Sequence, residues 1–359
     1  MPLSNAVELI VAVIALAHRE VVIVQTSLIG SILSNLLLVL GMCFFVGGLN
    51  RREQYFNTTV AQTAASMLAL AVAATIVPTV FDLASQTPKS DVAKLSRGTA
   101  FILLFVYAAY LLFQLKTHSS VFAEESQKVQ AKPFRKGKEG QSVHAVHKAY
   151  AQAGIMSGAS YIHQEPEGIA RMQEALNSPN PEKVEEEDDE GPQLHFVVAL
   201  LTLLLSTIII AFCAEFMVDG ISAVTGSGGV SEEFVGLILL PIVGNAAEHA
   251  TAVTVAYKDK MDLAIGVAVG SSMQVALFII PLLVVIGWGM GVDEMSLSFD
   301  VFQVAVLFVA VLLVNYLIAD GRSHWLEGML LICLYFIIAV CSWCKLNVVS
   351  YNVLSRKSC

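Results

Sequence analysis

Apolar residues fall in long unbroken blocks along this chain, not at every second or every third-to-fourth position on a polar background. Eight blocks cover residues 21–47, 57–84, 97–115, 194–218, 234–256, 263–288, 301–319 and 325–344. A bilayer core takes about 20 mostly apolar residues per helix, so the pattern predicts eight membrane spans. A ninth apolar stretch, 2–17, is too short to cross. Between the third and fourth blocks lies a polar segment, 117–193, with few aromatics and an acidic run from Glu182 to Glu190. Such a composition buries too little apolar surface to offset the entropy of ordering the chain, and a largely disordered linker is expected. Its acidic run reads first as a solvated face and second as a collector of cations near an entrance. The expected organisation is a membrane region over 1–116, the linker over 117–193, a second membrane region over 194–344 and a tail over 345–359.

Composition sharpens this picture. Hydrophobic residues make up 56% of the chain and charged residues 14%, against roughly 25% charged in a soluble domain, which excludes a soluble fold. The net charge of −9 resides largely in the linker and gives no nucleic-acid signature. Arg51, Arg52, Lys258, Lys260 and Arg322 fall in loops that share one side with the linker, against Arg19, Lys89 and Lys94 on the other. The bias of basic residues toward the inner side then puts the linker in the cytosol. On that side the Asn57-Thr58-Thr59 sequon would go unused. The six cysteines lie mostly within apolar blocks, where a thiol behaves as a small hydrophobe. Cys341 and Cys344 form a C-x-x-C with no partner motif.

Two short segments repeat at a constant offset of 240 residues. Ser4-Asn5-Ala6-Val7-Glu8-Leu9 matches Gly244-Asn245-Ala246-Ala247-Glu248-His249, and Gly30-Ser31 matches Gly270-Ser271 in the same register. Internal repeats of this kind mark secondary transporters, whose substrate sites lie near the bilayer midplane where the repeats meet. A carboxylate there costs about 2.5–3.5 kcal/mol on insertion scales, and no Lys or Arg occurs in any span core to offset it. Glu248 is therefore a candidate functional group. Helical spacing puts Asn245 and Glu248 on one face with His249 at its border, Ser271 with Gln274 on the next span, and Ser31, Ser34 and Asn35 on a third. Pro241 and Gly244 interrupt the helix before Glu248 and free backbone carbonyls. Carboxylates, amides, hydroxyls and carbonyls are hard oxygen donors suited to Ca²⁺, with Mn²⁺ as the second choice.

If Glu8 and Glu248 face each other where the repeats meet, both cannot stay ionised without compensation. One divalent cation neutralises the pair, and so do two protons, which couples cation movement one way to proton movement the other. A thousandfold Ca²⁺ gradient amounts to roughly 4.1 kcal/mol. One pH unit supplies about 1.4 kcal/mol per proton, so a gradient of about two units needs at least two protons. His249 reads equally as a proton-path group and as a packing histidine. Glu215 reads as a proton-path candidate, and Asp219 as the end of its helix. Asn245-Ala246-Ala247-Glu248-His249 is one residue from the H-x-x-E-H zinc-protease pattern, but Asn in place of the first His removes a ligand, and no enzyme is expected.

These motifs resemble the cation/proton exchanger (CAX) family, and within it the fungal vacuolar Ca²⁺/H⁺ exchangers. The residues that carry the resemblance are Ser4 to Val11, Gly236-Leu237-Ile238, Pro241 to His249, Lys258-Asp259-Lys260-Met261-Asp262-Leu263-Ala264 and Gly270-Ser271-Ser272-x-Gln274-Val275-Ala276-Leu277-Phe278. The resemblance implies an all-α polytopic membrane protein with two inverted five-helix repeats. It implies that Glu8 and Glu248 bind the cation and exchange it for protons, with Asn5, Asn245, Ser31, Ser271 and Gln274 nearby. It further implies no cofactor, Ca²⁺ and protons as the transported species, and import from the cytosol into an acidic vacuole. Mn²⁺/H⁺ or Na⁺/Ca²⁺ exchange on the same architecture is the alternative. The family's first motif begins with Gly where Ser4 stands here. Its two preceding spans are not in this chain, so the first repeat is expected to be incomplete and the chain as it stands is expected not to transport.

Overall fold

In hydrocarbon only a helix satisfies every backbone N–H and C=O within one segment, and each apolar block is helical. The computed structural model describes residues 5–85, 88–123, 126–129, 196–226 and 230–357. Residues 1–131 and 203–359 form one compact unit. Residues 132–202 form a second, of which the described part is the beginning of one helix. The acidic run Glu182 to Glu190 lies outside the described residues, as do the side chains of Asp219 and Cys344.

The chain opens with α1 (Ala6–Ala17), followed by α2 (Val21–Leu33), a π-helical turn (Ser34–Val39) and α3 (Leu40–Leu49) in one continuous span. Next come β1 (Gln54–Tyr55), α4 (Thr58–Ser85), α5 (Lys89–Leu112) and α6 (Ser119–Ala123). After the linker stand α7 (Phe196–Gly226), the one-turn α8 (Glu232–Phe234), a π turn (Val235–Leu239), α9 (Leu240–Gly244) and α10 (Ala246–Tyr257). The segments Glu232–Gly244 and Ala246–Tyr257 are bent by 56°. Then follow α11 (Met261–Gln274), a π turn (Val275–Ile279), α12 (Ile280–Gly289), α13 (Val301–Leu317), β2 (Arg322–Ser323) and α14 (Trp325–Lys357). The last helix runs on through the expected tail.

The offset of 240 holds element by element. α1 maps onto α10, α2 onto α11 and α3 onto α12, and the two π turns coincide to within one residue. The turns between paired helices match as well: Arg19 and Asp259, 240 apart, both take φ of 63°, the left-handed conformation that non-glycine residues seldom adopt.

The repeats are inverted. α3 leads into the 50–57 connector, and this connector meets the α10–α11 turn: Gln54 Nε2 donates to Ala256 O (3.0 Å) and Asp259 Oδ1 (2.7 Å). β1 and β2 pair antiparallel on the same face, Gln54 opposite Ser323. At the other face, Gln25 near the start of α2 donates to the carbonyls of Ser296 (3.0 Å) and Ser298 (3.2 Å), beyond the end of α12. Ser298 Oγ donates there to Asp82 at the end of α4 (2.8 Å). The span Val21–Leu49 therefore runs toward the connector face and its copy Met261–Gly289 runs away from it. Arg51, Arg52, Lys258, Lys260 and Arg322 all lie on the connector face. Asn57 there caps α4, accepting from Val60 N (3.2 Å), while its amide donates to Val121 O (2.9 Å).

Helices in lipid gain little from burying apolar surface against each other and rely on close packing by small residues. Gly41 and Gly328 bring α3 and α14 together with the Gly328 Cα beside the Phe45 backbone. Gly30 and Gly236 do the same for α2 and the 235–244 segment, where any side chain on Gly30 would overlap the Leu237 carbonyl and Pro241. This second contact sets the geometry of the site.

Candidate cation site

Glu8 and Glu248 each sit in the first turn of their helix. Sequence reading put Glu248 mid-span. The structure keeps it there but ends one helix at Gly244 and starts another at Ala246, so the carboxylate meets a helix N-terminus. Exposed N–H groups and the helix dipole favour an anion at that end. Asn5 and Asn245 occupy the N-cap positions with matching backbones (φ −91°, ψ 20° and φ −100°, ψ 11°). Asparagine is a preferred cap, yet neither side chain caps its own helix. Both reach across to the other repeat.

Asn245 Nδ2 donates to Ser31 Oγ (2.9 Å), and Asn5 Nδ2 donates to the Ser271 carbonyl (3.2 Å) while its Oδ1 accepts from Ser271 Oγ (2.5 Å). Ser271 is the 240-residue copy of Ser31, so each repeat's Asn is held by the other repeat's Ser. This reciprocity is the mark of a two-fold interface. Asn5 Nδ2 also donates to Gln274 Oε1 (3.1 Å), and Ser31 Oγ donates to Glu8 Oε1 (3.4 Å). Asn5, Asn245, Ser31, Ser271 and Gln274 are all at least nine-tenths buried. The structure thus draws six of the sequence candidates into one cluster, Glu8, Asn5, Asn245, Ser31, Ser271 and Gln274, with Glu248 three residues beyond Asn245 in the first turn of α10.

Polar atoms in such a place need partners. Glu8 Oε2, both carboxylate oxygens of Glu248 and Asn35 Oδ1 are buried and receive no hydrogen bond. Ser31 Oγ links Glu8 to the start of the helix that carries Glu248, donating to Glu8 Oε1 and accepting from Asn245 Nδ2. A cavity of about 40 Å³ beside Glu8 is walled by Ser31, Pro241, Gly244, Asn245 and Met217. These four atoms are all hard oxygen acceptors left without a donor, a chemistry that fits Ca²⁺ or another hard cation as substrate.

Asn35, which the sequence places on the face of Ser31 and Ser34, also meets the cluster. It is fully buried, and its Nδ2 donates to Ser271 Oγ (3.3 Å). The available signal was its position four residues after Ser31. Its copy is Val275, so here the two halves differ. His249 is buried with Nε2 3.3 Å from Ser34 Oγ, bridging α10 to the first π turn. Glu215 is not brought into the cluster. The buried face of α7 is Ala214, Val218 and Ile221, and Glu215 is exposed.

Comparison with known proteins identifies the family and the fold. The profile of a family described as sodium/calcium exchanger protein matches residues 3–116 and 198–344. The vacuolar calcium ion transporter of Cryptococcus neoformans var. grubii is 41% identical over 95% of this chain and 62% of its own length. That of Schizosaccharomyces pombe is 40% identical over 94% of this chain and 68% of its own. The chain therefore spans a little under two thirds of the first relative and a little over two thirds of the second. Among solved structures, native YfkE aligns with a TM-score of 0.68 and 30% identity over 95% of this chain and 81% of that one. The H⁺/Ca²⁺ exchanger CAX, at 13% identity and a TM-score of 0.56 over 99% of this chain and 76% of that one, shares the fold. With inverted repeats, reciprocal Asn–Ser contacts and family motifs in both halves, the chain belongs to the sodium/calcium exchanger protein family and, within it, resembles the vacuolar cation/proton exchangers.

Proposed function

We propose that the protein is a secondary antiporter exchanging Ca²⁺ for H⁺ across the vacuolar membrane, with Glu8 and Glu248 alternately holding the cation and protons. The relatives from C. neoformans and S. pombe are named vacuolar calcium ion transporters, and YfkE is described as a Ca²⁺/H⁺ antiporter. The observation that carries the reading is the set of donor-less oxygens on Glu8, Glu248 and Asn35. Two carboxylates held without counter-charge are costly. A divalent cation, or one proton on each, removes that cost, and the doubly charged empty state is the one the protein avoids crossing in. One Ca²⁺ for two protons is then both electrically neutral and sufficient against a thousandfold gradient at about two pH units.

In this reading the amides and hydroxyls of Asn5, Asn245, Ser31, Ser271 and Gln274 fix where the carboxylates point. Of the two proton-path candidates, His249 adjoins Glu248 and touches Ser34, which favours it over the exposed Glu215. The five basic residues on the connector face support a cytosolic placement for it. The test is ⁴⁵Ca²⁺ uptake into acid-interior vesicles carrying this chain alone or this chain preceded by the two further spans of the family, with variants made in the longer form. Uptake is expected to collapse with a protonophore and to be lost in Glu248→Gln. Normal ΔpH-driven uptake by Glu248→Gln would refute the carboxylate mechanism.

A further inference from the structure

Two adjoining cavities on the connector side take no part in the exchange chemistry. The larger, about 280 Å³, lies between α4, α5 and α11. Its polar lining gathers at the connector end: Asn57 just before α4, Gln114 just after α5 and Asp262 in the first turn of α11. Away from that end its walls include Ala61, Ala64, Gly266 and Gly270. Small residues on facing helices leave a space that larger side chains would close. Gly270 follows Asp262 by eight residues, so the cavity runs along α11 for about 12 Å. That is most of the hydrocarbon depth of one leaflet, roughly 15 Å. Gln114 stands in a π turn (Phe113–Thr117), a departure from α-helical geometry that is frequent at functional sites.

The smaller cavity, about 240 Å³, shares Asp262 and Leu263 with the larger one and adds Asp259, Lys260 and Lys128. Leu263 is 46% exposed, so the pair is open where the two meet. Two carboxylates and two ammonium groups give this chamber both signs of charge and no net one. Asp262 Oδ1 accepts from Asn57 N (2.5 Å) and its Oδ2 from Ser126 N (3.0 Å). A carboxylate has about four lone-pair sites, so capacity for a further donor is left. An apolar slot inside the bilayer that ends in a polar chamber matches a lipid, with its chain inside and its headgroup at the face. An anionic headgroup would meet Asp259 and Asp262 as well as the lysines, whereas a zwitterion satisfies both signs.

We propose that the two cavities hold one membrane lipid of the connector-side leaflet, with a zwitterionic headgroup that carries a primary ammonium. Its acyl chain occupies the slot from Asp262 to Gly270. Its phosphate lies with Lys260 and Lys128. Its ammonium donates to Asp262 and Asp259, which calls for N–H groups that a quaternary ammonium lacks. The lipid braces α4 and α5 against the helix that carries Ser271. Neither the site nor its test depends on the exchange reading.

The test titrates the purified, lipid-stripped protein with phosphatidylethanolamine, phosphatidylcholine and phosphatidylglycerol, and counts bound lipid by native mass spectrometry. One phosphatidylethanolamine per chain is expected. Phosphatidylcholine should bind at least about tenfold more weakly, the effect of losing hydrogen bonds to charged groups. Gly266→Leu and Ala64→Leu fill the slot from opposite walls, and each should abolish binding. Lys260→Gln leaves the slot intact and should weaken binding about tenfold. The elution profile of each variant reports folding, and either slot variant suffices if the other fails to fold. No saturable binding, equal binding of the three lipids, preference for phosphatidylglycerol, or full binding by a folded slot variant would each overturn the proposal.

Discussion

Gly30 offers a sharp test of how the site is held, because its effect must travel through backbone. A Cβ added there would lie 2.8 Å from the Leu237 carbonyl carbon and 2.7 Å from Pro241 Cγ. Neither neighbour is the end of a flexible side chain. Ordinary carbon contacts begin near 3.5 Å, so α2 and the 235–244 segment must part by about 0.7 Å. Asn245 Nδ2 and Ser31 Oγ, now at 2.9 Å, then move to about 3.6 Å, outside hydrogen-bonding range. Loss of that bond costs about 1 kcal/mol, and overpacking adds roughly 1–3 kcal/mol. Because the bond orients groups around the cation, Gly30→Ala should raise the Ca²⁺ KM for ΔpH-driven uptake by about 10–100-fold. Expression and elution of the purified protein report folding alongside. Gly98→Ala, where an added Cβ meets nothing within 4 Å, is the control and should leave uptake unchanged. A Gly30→Ala protein with wild-type KM would refute the claim that this close approach sets the site.

Two further outcomes follow from other contacts. Ser31→Ala removes both the acceptor of Asn245 and the donor to Glu8, and should raise the Ca²⁺ KM by about 10–100-fold with little change in expression. Arg97→Met breaks the pair with Asp293 and the stacking of its guanidinium on Trp288 (5.0 Å). Because Asp293 is largely exposed, the loss should be no more than about 1–2 kcal/mol, read as a small fall in Tm in detergent with unchanged uptake.

Much of this architecture was legible in the sequence, and the reason is symmetry. An Asn-x-x-Glu match and a Gly-Ser match fixed an offset that extends to helix ends, π turns and the two left-handed turn residues. The sequence did not reveal how the halves meet. An offset says that Ser31 and Ser271 are equivalent, but not that Asn5 and Asn245 each take the serine of the other repeat. The π turns at 34–39 and 275–279 have no hydropathic signature, since apolar residues surround them on every side. Apolar blocks also misplace helix ends: the 97–115 block begins at Lys89 in the structure, because a helix continues past the bilayer wherever backbone bonding favours it. Glu215 looked functional from its charge alone, and only packing shows that it turns away from the cluster.

The central claim is that Glu8 and Glu248 hold one cation together, and equilibrium ⁴⁵Ca²⁺ binding to the purified protein tests it most directly. The account predicts one site-bound Ca²⁺ per chain, and its loss in Glu8→Gln and in Glu248→Gln. Each loss should exceed the roughly 100-fold ceiling seen for groups that only orient a ligand, and the double variant should be no worse than either single one, because removing either carboxylate already destroys the shared site. If either single variant keeps near-native affinity, or if the two losses add as independent sites would, the carboxylates do not share a cation and the account is wrong.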